Sequence, residues 1–166
     1  VILTLPMQLY TLRGDIQALK ENYNAMEKWM RAIRASAYEL PTANPMGGMS
    51  QEEFDAMSER RQDNQHYLIN TGFHFGDWLV PSVKDANGFS DGPASSFLTM
   101  NYVDTAILAD DADLFAQISD LLGYTEKAEE YRKFAQRVRD AFYEEYVDEN
   151  GRLSQEMQGN YILALK

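Results

Sequence analysis

Apolar residues recur along much of this chain at alternating steps of three and four, the spacing that stacks side chains on one face of an α-helix. The clearest run is Ile16, Leu19, Tyr23, Met26, Met30, Ile33 and Ala37, widened by Trp29 and ended by Pro41. It forms one stripe about six turns long. A shorter helix is expected before it, over residues 1–13, with Pro6 near the start, where a missing N–H costs least. Between the two, Gly14 suits a C′ position and Asp15 an N-cap. Further on, Met100, Val103, Ile107, Leu114, Ile118 and Leu121 mark the inner face of a helix over about 94–122, closed by Gly123. Ala128, Tyr131, Ala135, Val138 and Phe142 mark the next, which Thr125 is placed to cap. In that helix Glu126, Glu129 and Glu130 precede Arg132, Lys133, Arg137 and Arg139, in line with the helix dipole. Glu149–Arg152 reads as a tight turn, and 155–166 begin a last helix through Tyr161, Ile162, Leu163 and Leu165.

The remaining segments have weaker periodicity. Residues 41–49 form a loop, read as a surface connection. Ser50-Gln51-Glu52-Glu53 is a capping box, so a helix starts there and is expected to run to about His66. Its few apolar residues, Phe54 and Met57, mark it as a surface element. Residues 67–93 are irregular, with turn signals at Asn87-Gly88 and Asp91-Gly92-Pro93. Alternating strand patterns are nearly missing. The fold class is therefore all-α, assembled from αα-hairpins. One weak echo supports the repetition: Gly14 leading to Tyr23, and Gly123 leading to Tyr131, both read helix, Gly, helix, inward Tyr. No steady period near that of a tetratricopeptide array runs through the chain.

Composition narrows the functional classes. At 166 residues, with 45% hydrophobic and 25% charged, the chain has the size and balance of one globular domain. A net charge of −11 disfavours nucleic acid and anionic lipid as partners. The lack of Cys excludes disulfides and thiolate zinc sites but leaves the compartment undecided. No apolar run approaches a membrane span. The first and last residues sit inside apolar patterns, as in a piece of something longer. The stripes of the first, second and last helices would then lack neighbours, leaving apolar patches and a tendency to self-associate.

One stretch concentrates candidate chemistry. Residues 71–81 carry Phe73, His74, Phe75, Asp77 and Trp78 between Gly72, Gly76 and Pro81. Rings beside a lone acid on a loop can cover an apolar ligand face and accept hydroxyl hydrogen bonds; the same rings can also plug the end of a helix bundle. Asp77 either contacts a ligand or caps a turn. His74 is read as a packing residue. Neither it nor His66 has the clustered acids a metal site needs. Asp110, Asp111 and Asp113 point different ways on a helix, as a solvated face or a local break. No cofactor is implied.

Leu5–Tyr10 through Gly14-Asp15, then Tyr23, Met26 and Trp29, then Phe75-Gly76-Asp77-Trp78-Leu79, and then Leu122-Gly123 with Ala128, Tyr131 and Ala141-Phe142 together resemble the bacterial α-L-rhamnosidases. The likeness is to the middle of their (α/α)6 six-hairpin catalytic barrel. It spans residues 1–166 as a partial barrel, with 41–70 as an insertion or variable loop. The resemblance implies an inverting glycosidase that removes terminal α-L-rhamnose, using one carboxylic acid on the leaving oxygen and one carboxylate to activate water. No Glu here matches either catalytic segment, so no catalytic residue is assigned. Trp78 matches an aromatic of the rhamnose pocket, and Asp77 beside it is the second substrate-binding candidate. The implied partner is a rhamnose-containing glycoside or oligosaccharide. Two other readings are a non-catalytic helical-hairpin interaction module, with Trp78 as core, and a different six-hairpin glycosidase or lyase.

Overall fold

The computed structural model describes residues 1–38, 49–72 and 74–165. The expected stop at Pro41 and the loop up to residue 48 lie outside the described residues, as does Phe73. Among the described residues seven helices follow in order: α1 Thr4–Arg13, α2 Ile16–Tyr38, α3 Gln51–Asp55, α4 Glu59–Gln65, α5 Gly92–Leu121, α6 Thr125–Tyr146 and α7 Gln158–Ala164. Among the described residues the only extended pairing is two isolated bridges, Lys84 with Ser90 and Val147 with Leu153.

The first hairpin closes as its sequence implies. Gly14 is left-handed (φ 70°), and its N–H donates to Tyr10 O at 2.7 Å. Asp15 Oδ1 then accepts from Gln17 N at 3.1 Å and Ala18 N at 3.3 Å. Leu19, Tyr23, Met26, Met30 and Ala37 are all buried. The α2 stripe is thus covered by α1 and α5 within this chain, contrary to the expectation that it would lack neighbours. Exposed apolar residues do occur on α1 (Leu5, Leu12) and at the other end of the chain (Ile162, Leu165), but also between them, as at Phe89, Phe97 and Tyr143.

The polar segment after the loop departs from the single helix expected. Ser50 Oγ accepts from Glu53 N at 3.2 Å and Ser50 N donates to Glu53 Oε2 at 2.7 Å, so the capping box is made. The helix then stops at Asp55, and Ser58 starts a second one by accepting from Arg61 N at 3.4 Å. Gln62 Nε2 ties the two together by donating to Phe54 O and Met57 O at 3.1 and 3.3 Å. A second N-cap so close to the first competes with continuation of the helix. Nor is α4 merely a surface element. Arg60 and Arg61 pair with Glu144 and Glu145, and Arg137 holds Asp63 and Asn64. Its polar face docks on α6 and leaves Asn64 buried.

Helix α5 is the axis of the molecule, packed by α2, α6 and α7. It begins at Gly92 because Asp91 Oδ1 caps Ala94 N at 2.9 Å, so the Asp-Gly-Pro signal is a helix start as well as a turn. The helix runs unbroken past the three acids. Asp113 pairs with Arg139, and Asp111 Oδ2 accepts from Trp29 Nε1 at 3.3 Å. The expected inner face is partly wrong: Ile107 and Leu121 are 43% and 41% exposed, whereas Ser95, Ser96, Thr99, Thr105, Ala112 and Ser119 are buried. A helix with neighbours on several sides buries small residues to admit close packing. Some of its hydroxyls are satisfied along the helix, as in Ser119 Oγ donating to Phe115 O at 2.8 Å.

Around α6 the expected apolar stripe holds throughout: Ala128, Tyr131, Ala135, Val138 and Phe142 are buried. Its start differs. Tyr124 is the N-cap and makes no side-chain cap bond, so Thr125 is the first helical residue instead of the cap. The two tyrosines of the Gly-helix echo meet at the core centre. Phe115 stacks on Tyr23 at 5.2 Å and takes Tyr131 edge-on at 4.8 Å.

Candidate functional site

The aromatic turn is bolted to the first third of α5. Gly76 has φ +54°, and a Cβ there would sit 2.7 Å from Met100 Cα, so only glycine permits this close approach. The next amide, Asp77 N, donates to Thr99 Oγ1 at 2.8 Å, and Thr99 Oγ1 in turn donates to Ser95 O at 2.8 Å. Ser96 Oγ donates to His74 O at 2.6 Å. The buried hydroxyls of α5 therefore serve the turn as well as the helix.

Trp78 is placed by what lies under it. A Cβ on Gly92 would fall 2.2 Å from the indole Nε1 and 2.3 Å from Cε2. The ring lies directly on the first residue of α5, where any side chain would displace it. Phe75 approaches the indole edge-on at 5.5 Å. Trp78 remains 38% exposed, and Phe75 and Leu79 more so. The indole is neither fully buried nor a free surface ring: its Nε1 side is seated against Gly92, and 38% of the residue is exposed.

Asp77 divides its two oxygens. Oδ1 accepts from Leu79 N at 3.2 Å, shaping the turn, while Oδ2 faces Gly159 in the first turn of α7. Both roles foreseen for this acid thus remain open, one for each oxygen. The structure brings Asp77 and Trp78 to one turn between the N-terminal ends of α5 and α7.

His74 packs as expected: its Nε2 pairs with Thr71 O at 2.9 Å. Its Nδ1 faces Asp104 Oδ2 at 4.0 Å. Burial pushes the Asp104 carboxyl above its ordinary value, with His74 opposing, and Oδ2 has no hydrogen-bond partner. Among the described residues no group of three His, Cys, Asp or Glu could hold a metal ion. No described helix is long and apolar enough to cross a membrane.

Sequence reasoning missed Gly92, Thr99 and Asp104. Gly92 was read only as part of a turn. Asp104 had a usable signal, as the lone charge in the run Tyr102–Ala109. Thr99 had none, because a buried threonine looks like any other helical residue.

Comparison with known proteins gives this geometry a family. The model of the bacterial alpha-L-rhamnosidase 6 hairpin glycosidase domain matches residues 48–166. The alpha-L-rhamnosidase of Formosa agariphila is 27% identical over 97% of this chain and 14% of its own length. That of Streptomyces avermitilis is 25% identical over 98% of the chain and 12% of its length. The crystal structure of the Streptomyces avermitilis enzyme complexed with L-rhamnose superposes with a TM-score of 0.61 at 24% identity, covering 99% of this chain and 12% of that one. The native Aspergillus terreus α-L-rhamnosidase gives the same TM-score at 21% identity, covering 99% and 15%. At these identities the structural likeness establishes the fold, part of an all-α toroid. The chain spans about one seventh of the length of the Formosa relative. With more than two thirds of its residues under the family model, the chain belongs to the bacterial α-L-rhamnosidase six-hairpin glycosidase domain family.

Proposed function

We propose that this chain forms part of the (α/α)6 barrel of an α-L-rhamnosidase, residues 1–166 serving as a partial barrel with about 41–70 an insertion or variable loop. On this reading the turn 75–79 is one wall of the rhamnose site. The observation that carries it is the half-exposed Trp78, seated on Gly92 with Phe75 at its edge. A seated, partly exposed indole suits the methyl-bearing edge of a 6-deoxy sugar. Asp77 Oδ2, which shares that turn, is the group offered to a sugar hydroxyl.

In the whole enzyme, hydrolysis inverts the anomeric centre by a general acid and a carboxylate-activated water. No residue of this chain is assigned to that pair. Positioning the two carboxylates is most of the chemistry, so the chain alone binds without turnover. Two measurements test this. Turnover of p-nitrophenyl α-L-rhamnoside by the chain is expected to be nil, and clear activity would overturn the assignment of no catalytic residue. Titration of L-rhamnose against the Trp29→Phe chain is expected to change Trp78 emission saturably, and an unchanged emission would remove Trp78 from the pocket.

A further inference from the structure

His74 faces an oxygen at both ring nitrogens. Nε2 lies 2.9 Å from Thr71 O, and Nδ1 lies 4.0 Å from Asp104 Oδ2. A carbonyl oxygen only accepts, so Nε2 carries the hydrogen of the first contact. In a neutral imidazole Nδ1 then holds a lone pair. It faces Asp104 Oδ2, which has no hydrogen-bond partner. Two acceptors therefore oppose each other across the gap. The other neutral tautomer moves the same conflict to Thr71 O. One additional proton removes it. On Nδ1 it makes an imidazolium that donates to the carboxylate; on Oδ2 it makes a carboxylic acid that donates to the ring.

The surroundings leave this proton to the pair. Oδ2 is closed to solvent, whereas the His74 side chain is 35% exposed, so the ring is where a solvent proton enters. Burial raises the Asp104 carboxyl above its ordinary value, and His74 is the charge that opposes this. The turns of α5 on either side place Met100, Asn101, Ile107 and Leu108 beside Asp104, none of them charged. Glu145 and Glu53, which share a cleft with Asn101, are held by Arg61 and by Ser50 N. Asp77, the turn's own carboxylate, gives Oδ1 to Leu79 N and turns Oδ2 toward Gly159. The pair is also well placed to hold the turn. Ser96 Oγ already donates to the His74 carbonyl, and Gly76 and Asp77 rest on Met100 and Thr99. Ser96, Met100 and Asp104 recur every four residues, so one stripe of α5 meets the turn along its length.

We infer that His74 and Asp104 share one proton and form a pH-dependent clasp that fixes the Trp78 turn to α5. Proton uptake closes the 4.0 Å gap to hydrogen-bond length, about 2.7–2.9 Å, and proton loss sets the two acceptors against each other again. Because the Asp104 carboxyl is raised in the folded chain, the clasp is made as pH falls and lost as pH rises. The inference concerns the turn itself and holds whether or not Trp78 contacts rhamnose.

The test is a pH titration, without sugar, of the ¹⁵N-labelled chain carrying Trp29→Phe and His66→Gln, from pH 8 to pH 5.5. The Gly76 and Asp77 amides, the Trp78 indole N–H and the His74 ring nitrogens are expected to shift in one common step. Hydrogen-exchange protection of the Asp77 amide should rise about tenfold as the step completes, the factor for one charge-assisted hydrogen bond. Two variants of the pair should differ in opposite senses. Asp104→Asn offers Nδ1 an amide N–H in place of the proton, so the step should vanish with Asp77 protection fixed at its low-pH level. His74→Ala leaves nothing to clasp, so the step should vanish with protection fixed at its high-pH level. No step in the parent, a step that persists in either variant, or the same protection in both variants would overturn the inference.

Discussion

The seat of Trp78 on Gly92 can be tested by one added methyl group. Gly92 lies at the start of α5, outside the left-handed region, so Ala is acceptable to the backbone there. Gly→Ala should by itself stabilise by about 0.4–1 kcal/mol. Against this, the new Cβ would fall 2.2 Å from the indole Nε1. Normal carbon contacts lie at about 3.5–4 Å, so the ring must retreat by roughly 1.3 Å or more. It has room to do so, because Trp78 is already 38% exposed. Swinging out would return on the order of 50–100 Å² of indole to water, or about 1–2.5 kcal/mol. The net expectation is a loss of up to about 2 kcal/mol, which for a domain of this size lowers Tm by a few degrees, at about 2–4 °C per kcal/mol. In the Trp29→Phe background the emission of Trp78 should shift to the red. The decisive assay is the double-mutant cycle read by thermal melting. With Trp78→Ala in place there is no ring to displace, so Gly92→Ala should become neutral or stabilising. An equal loss in both backgrounds would show that the indole is not what demands glycine.

Other consequences are simpler to state. Glu144 is held down to about 2 by Arg60 and Asn64, against an ordinary value of 4.5, so its contribution is present above the ordinary value and lost as pH falls toward 2. Glu144→Gln should therefore melt below the parent at pH 7 and converge with it in acid; equal melting at pH 7 would show the clamp contributes nothing. Asp104 is shifted the other way by burial, so its charged form opposes folding at neutral pH. Asp104→Asn should raise the melting temperature at pH 7, with the gain shrinking as pH drops, and a loss at pH 7 would make the carboxylate structural. Phe115→Ala removes the ring between Tyr23 and Tyr131 and should cost about 3–5 kcal/mol in a denaturant titration. The exposed Leu5, Leu12 and Leu165 predict concentration-dependent association, measurable by sedimentation velocity and reduced by Leu12→Gln with Leu165→Gln.

Much of this fold is local in origin and could be read along the chain. The α2 and α6 stripes, the left-handed Gly14 and the Ser50 capping box each depend on residues within a few positions of one another, so spacing alone determines them. The choice of Asp77-Trp78 as the place to look also rests on nearby residues, with Gly72 and Gly76 marking the turn. What only the tertiary structure decided involves contacts across long separations. Spacing could not show that α5 is surrounded, because a helix packed on several sides buries serine and alanine as readily as leucine, while Ile107 and Leu121 remain exposed. Nor could it show that α4 docks through charge: Arg60 and Glu144 are 84 residues apart. The same holds at the site. Gly92 follows Trp78 by a full loop, and nothing in its neighbourhood announces that an indole lies upon it. A helix can be inferred from its own residues, but the seat of a side chain belongs to whatever the fold brings beneath it.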